Sequence, residues 1–219
     1  MVFKALTLSV CVLGMAAHAH AELPVWEPDD GDVIAFEVFR KGDKFGTHKV
    51  SFDREDDRLI ATTDVDLRVG AGPITFFSYR LDATEEWQGD QLVSVRGKLK
   101  DGGDRESVEA EKNGESIKVS GSRFEGDAPA DILPSSHWRS EIVTADRILS
   151  TENGDLISIN PKSAGEDTVT IDGETITATR YEIDSDVPYT IWYDEQGRWV
   201  KLEFTARGEK IEYRLASLY

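Results

Sequence analysis

Ser135, Ser136 and His137 stand side by side, and a serine with a histidine is the raw material of a nucleophile and its general base. A working triad is set by geometry across the fold, and neighbours in sequence point in different directions. The chain has no Gly-x-Ser-x-Gly elbow to present a nucleophile. Capping of a helix by a serine, beside an ordinary half-exposed histidine, suits the segment better. Paired carboxylates recur at Asp64 and Asp66, Glu85 and Glu86, and Asp184 and Asp186. Glycoside hydrolysis needs two facing carboxyls, one with a raised pKa, and 42 acidic residues produce such pairs by chance. The sequence therefore names no catalytic residue and leans against an enzyme.

Metal chemistry fares no better. Cys11 is the sole cysteine and lies in the first stretch, with His18 and His20. Beyond it only His48 and His137 remain, too few for a zinc site without carboxylates. No segment matches the Asp-x-Asp-x-Asp-Gly calcium loop. The acidic runs at residues 29–32 and 55–57 read as solvated charge. No metal and no cofactor is expected.

The aromatic residues are the most suggestive group. Phe36, Phe39, Phe76, Phe77, Tyr79 and Trp87 are joined by Trp138, Tyr189, Trp192 and Trp199, more rings than hairpin turns need. Most must be core. In a sheet that curls without closing, some would line an apolar groove of the kind that binds small apolar ligands. The groove residues expected are Phe76, Tyr79, Trp87, Trp138 and Trp192.

The elements that must position these rings follow from pattern. Residues 1–21 carry one lysine, a short apolar run and Ala-x-Ala spacing, the layout of a secretory signal peptide cut after Ala21. The apolar run is below the ~20 residues that span a bilayer as a helix, and no longer one follows. The mature protein is expected in the periplasm or secreted, with no transmembrane helix. Residues 22–32 hold two prolines and an acidic run and read as a leader loop. Residues 33–219 read as a single β-rich domain. Turn pairs such as Asn113-Gly114, Asp172-Gly173 and Arg207-Gly208 recur along it, the signature of antiparallel hairpins. Ala61, Thr63, Val65, Leu67 and Val69 alternate with polar residues, as do Val200, Leu202 and Phe204, and Ile211, Tyr213 and Leu215. Residues 34–39 and 74–81 are apolar on both faces and should lie deep. Residues 104–118 are nearly all polar and read as a protruding hairpin. Trp138, Ile142, Ala145 and Leu149 are spaced 4, 3, 4, which predicts a short amphipathic helix near 136–150, capped by Ser135 or Ser136.

Three segments carry a resemblance: Phe45-Gly46-Thr47-His48-Lys49-Val50, Leu133-Pro134-Ser135-Ser136-His137-Trp138, and the stretch from Ile191-Trp192-Tyr193-Asp194 to Leu202. Together they resemble proteobacterial exported β-proteins classed as domains of unknown function. The resemblance implies an antiparallel open or partly closed barrel, similar at a distance to periplasmic lipoprotein carriers. It implies no activity and transfers no catalytic residue. On its own terms, Asp194 is placed to bind backbone amides of the turn ending at Gly197.

The expected fold is all-β: an antiparallel curved sheet or open β-barrel of about ten strands with one short helix over its mouth. Net charge of −17 argues against a nucleic-acid partner, whose phosphates call for clustered Lys and Arg. It reads as solubility and protection of sheet edges. The expected role is non-enzymatic binding or carriage of an apolar or amphipathic molecule, with a lipid as the partner. The alternatives are an envelope protein–protein interaction module and, behind it, a secreted hydrolase.

Overall fold

The computed structural model describes residues 23–71 and 74–216; the expected signal peptide lies outside them. The chain begins with a meander of eight strands: β1 (Val33–Arg40), β2 (Asp43–Glu55), β3 (Arg58–Ala71), β4 (Ile74–Gln88), β5 (Gln91–Asp101), β6 (Asp104–Asn113), β7 (Ser116–Gly121) and β8 (Glu125–Pro129). Three short strands follow, β9 (Leu133–Pro134), β10 (Arg147–Leu149) and β11 (Leu156–Ser158). The chain ends in β12 (Asn160–Ile171), β13 (Glu174–Asp184), β14 (Tyr189–Asp194), β15 (Trp199–Ala206) and β16 (Glu209–Leu215). β16 pairs with β1, so the two meanders join into one 13-stranded sheet in the order β12 to β16, then β1 to β8. β12 and β8 are its free edges, so the sheet is curved and open rather than closed.

The meander follows from its turns. β15 and β16 are joined by Arg207 and Gly208, both at positive φ, as a two-residue hairpin of the primed type requires. Asp194, 3% exposed, accepts hydrogen bonds from the Gln196 and Arg198 amides at 3.0 and 2.9 Å and from Arg198 Nε at 2.7 Å. The turn ending at Gly197 is therefore held by the carboxylate.

Between β8 and β12 the chain turns inward. Residues 130–159, with the small sheet β11-β10-β9, plug the concave face. The contact is backbone on backbone. A Cβ on Gly97 of β5 would meet the Thr151 carbonyl at 1.8 Å, and one on Gly121 of β7 would meet the Asn153 carbonyl at 2.3 Å. Only glycine permits that approach.

Four expectations are corrected. The main sheet has thirteen strands where about ten were expected; the β2–β3 turn at Asp56, at positive φ, carries no glycine to mark it. The helix near 136–150 is a five-residue 3-10 turn, Ser140–Thr144, flanked by extended backbone at Arg139 and Ala145. Trp138, Ile142 and Leu149 are all buried, but in a plug enclosed on several sides, where burial needs no helical stripe. Ser135 and Ser136 cap nothing there. The hairpin at 104–118 does not protrude: Val108, Ala110, Ile117 and Val119 are buried, Val108 and Val119 beside Gly154 of the plug, and the polar residues form the wet face. The start of β4 is not deep, since Phe76 is 70% exposed.

The two ends of the curved sheet differ. At one end the leader packs down: Trp26 meets Phe52 edge-on at 5.3 Å, Arg54 binds Asp30 and the Pro28 carbonyl, and Ser140 Oγ donates to the Pro24 carbonyl at 3.0 Å. At the other end stand the β1–β2, β3–β4, β5–β6, β13–β14 and β15–β16 turns, and there the interior opens.

Candidate binding cavity

A cavity of about 830 Å³ lies between the plug and strands β2 to β4 and β14 to β16. Ligand pockets commonly measure about 300–1,000 Å³. Strand alternation builds its walls: Val65, Leu67 and Val69 of β3 face inward, as do Leu202 and Phe204 of β15 and Ile211 of β16. The residues between them carry charge on the convex face, where Asp66 binds both Arg68 and Arg80.

At the mouth stand Phe76 and Val187, both exposed. Two ion pairs sit beside them, Arg207 with Asp101 and Arg40 with Glu209, each at 3.7 Å. On the wall, Tyr79 donates to Glu152 Oε1 at 2.6 Å. Glu152 rides on the plug turn that presses against Gly97 and Gly121, and Asn153 anchors that turn to Glu106 at 2.7 Å. Burial raises the pKa of Glu152, against the lowering effect of the Tyr79 hydrogen bond.

The floor holds His48, His137 and Trp199. His48 sits opposite Val65 in the β2–β3 register. It also pairs with Phe36 of β1, four residues from Arg40 at the rim, which at about 3.3 Å per residue puts it about 13 Å below. Both imidazoles lie edge-on to Trp199, at 5.2 and 5.7 Å. His137 has φ of 64°, a left-handed conformation that a histidine adopts at some cost; Tyr193 Oη donates to its carbonyl at 2.8 Å and pins it. Burial lowers the pKa of His48 from 6.5 to about 3, with His137 adding to it, and that of His137 to about 4. Both rings are neutral at pH 7.

Polar atoms without partners mark this end. His48 is 7% exposed, and neither ring nitrogen has a hydrogen-bond partner; His137 Nδ1 and Tyr189 Oη share that condition. Each of these atoms is shut off from the open space as the rings now lie; buried polar groups are normally paired, and a turn of the ring toward the cavity would let a bound molecule pair them.

Of the five aromatic residues expected to form a groove, the fold brings Phe76 and Tyr79 to the cavity. The other three do not line it. Trp87 and Trp138 pack edge-on at 5.8 Å in solid core, both donating to Glu85 Oε2 at 3.0 Å. Trp192 lies on the opposite face of β14 from Ile191 and Tyr193, bonded to Asp167 and covered by Lys201. Sequence reasoning missed His48, Tyr189 and Glu152. His48 had a signal, since it shares a strand face with Val50 and Phe52; Glu152 sits in a polar turn and had none.

Ser135 and His137 are not placed as nucleophile and base. Ser135 Oγ lies 3.2 Å from Thr151 Oγ1 and accepts the Thr151 amide at 3.0 Å, and His137 Nδ1 reaches no serine. Among the described residues no His, Cys, Asp or Glu cluster of three could hold a metal ion, and no helix is long and apolar enough to cross a membrane.

A family model described as Domain of unknown function (DUF6134) matches residues 36–216. The chain belongs to the DUF6134 family. Its fold is shared with a solved β-barrel-like protein of Domain of Unknown Function DUF1849 from Brucella abortus, at 8% identity and a TM-score of 0.60, covering 90% of this chain and 98% of that one. At that identity the likeness concerns the fold alone. No curated protein matches this DUF6134 chain.

Proposed function

We propose that the protein is a non-enzymatic binding or carrier module for an amphipathic molecule, exported to the periplasm by its N-terminal segment. The observation that carries this reading is the cavity of about 830 Å³ with apolar walls and unpaired polar groups at its floor. Apolar walls favour an acyl or ring system by removing its surface from water, at about 25 cal/mol per Å². Export is supported by the charge, apolar run and Ala-x-Ala spacing of residues 1–21. A docking role would favour exposed aromatics on the convex face. Among the described residues the exposed large apolar side chains are Val25, Val33, Phe76 and Val187, and two of these frame the mouth.

The test is extraction of small molecules from protein purified from its native cells, followed by mass spectrometry. The expected result is an amphipathic species in near one-to-one ratio. Protein that carries none, and takes up no added 1-monomyristoylglycerol, would contradict the proposal.

A further inference from the structure

Which end of an amphipathic ligand enters first, and what charge its head carries, can be read from the cavity; this rests on the binding role proposed above. We propose that the ligand enters head-first, seating an uncharged hydrogen-bonding head, a hydroxyl or an amide, among His48, His137 and Tyr189, and that anionic heads are refused.

Three observations converge. The first is the floor itself. Neutral imidazoles and a phenol each offer both a donor and an acceptor; these groups are left unpaired on side chains that line the cavity, so a turn of the rings presents them to a head. A hydroxyl or amide head matches that set. A carboxylate or phosphate would need positive charge there, and the imidazoles supply none because burial keeps them neutral.

The second is the charge of the lining. Its basic residues are Arg40 and Arg207, both at the rim and both engaged, with Glu209 and Asp101. Glu152, Asp155 and Asp186 add further acid to the lining. An anion entering this space meets net negative charge at reduced dielectric, where repulsion is least screened.

The third is the mouth. Phe76 and Val187 are exposed there, a setting for the apolar end of a ligand rather than for a hydrated head. The reverse pose would place the tail against the orphaned floor groups and the head beside those apolar side chains. The rim arginines are each already ion-paired at 3.7 Å, which lowers the positive charge they offer an anion.

Matched probes separate the poses: 1-monomyristoylglycerol, myristate and tetradecyltrimethylammonium, sharing one chain length and differing in head. Each is titrated against the full mature protein by displacement of an apolar fluorescent dye. The neutral probe is expected to bind at least about tenfold more tightly than myristate, the worth of one or two hydrogen bonds to a desolvated head. Tyr189→Phe removes one hydroxyl and little else. It is expected to weaken the neutral probe by about fivefold while leaving dye affinity unchanged. His48→Gln serves as a second variant, with folding checked by its near-UV spectrum. Myristate binding as tightly as the neutral probe, or neutral-probe affinity indifferent to both substitutions, would overturn the head-first pose while leaving the binding role standing. Failure of dye and every probe to bind would instead remove the binding role.

Discussion

Two clusters of buried rings contain orphaned polar atoms, and they differ in what lies in front of them. In the first, Glu85 accepts both indole N–H groups of Trp87 and Trp138 on one oxygen and has the Ser136 hydroxyl beside it, while Oε1 has no partner within normal hydrogen-bond geometry. The Arg139 guanidinium lies 4.5 and 5.4 Å from the two indoles. This carboxyl does not line the cavity. Burial raises its pKa, outweighing the hydrogen bonds and Arg139 that lower it, so a proton is the available remedy for its desolvation. In the second, the side chains of His48, His137 and Tyr189 line about 830 Å³ of cavity, and a turn of the rings lets a ligand supply the partner that their buried atoms lack. Burial with an unmet hydrogen bond is thus not a mark of function by itself; it becomes one where there is room for a partner.

The sharpest way to break this contrast is to open a hole in the solid cluster and to unseat the plug beside the cavity. Trp138→Ala opens a hole in solid core and strands Glu85, with an expected loss of about 3–5 kcal/mol in denaturant-monitored stability. A loss under about 1 kcal/mol would mean that the Glu85 cluster is not close-packed. Gly97→Ala should cost about 1–3 kcal/mol by forcing the Thr151 carbonyl off β5, and should weaken dye binding through displacement of Glu152. Unchanged stability would show that the plug is not seated on that glycine.

Protonation sharpens the contrast further. In the unfolded chain both imidazoles titrate near 6.5, whereas in the fold they do so at about 3 and about 4. Below pH 6.5 the unfolded chain takes up protons that the fold refuses. Their stabilising effect is therefore complete above pH 6.5 and declines as pH falls toward 4, by about 1.4 kcal/mol per unit for each histidine. Glu85 and Glu152, with raised pKa values, act in the opposite sense. The difference between wild type and His48→Gln isolates the histidine: wild type should lose stability more steeply across pH 6.5 to 4, and parallel curves would refute the burial of His48. Smallest of all, Tyr189→Phe should raise stability by up to about 1 kcal/mol, since the buried hydroxyl it removes has no partner.

The sheet was legible in the sequence because hairpins announce themselves locally, through pairs such as Arg207-Gly208 and alternation such as Val65, Leu67 and Val69. The plug was not. Trp138, Ile142 and Leu149 fall at helical spacing, yet their burial comes from strands distant in sequence that close around an irregular segment. Trp192 illustrates the same limit from the other side: the alternation that turns Ile191 and Tyr193 inward sends it outward, and a count of rings cannot overrule that. The cavity was foreseeable only as a consequence of curvature, and its floor depends on β2, β14 and the plug meeting, which no local signal encodes.

The central claim is that the interior cavity binds an amphipathic molecule. Its most direct test is a titration of 1-monomyristoylglycerol into wild type and into Val65→Trp, which fills the space beside His48, with Leu67→Trp as a second blocking variant. The account predicts saturable one-to-one binding to wild type and loss of at least about tenfold in affinity in whichever blocked variant keeps a cooperative unfolding transition. Equal binding to wild type and a folded blocked variant would contradict it.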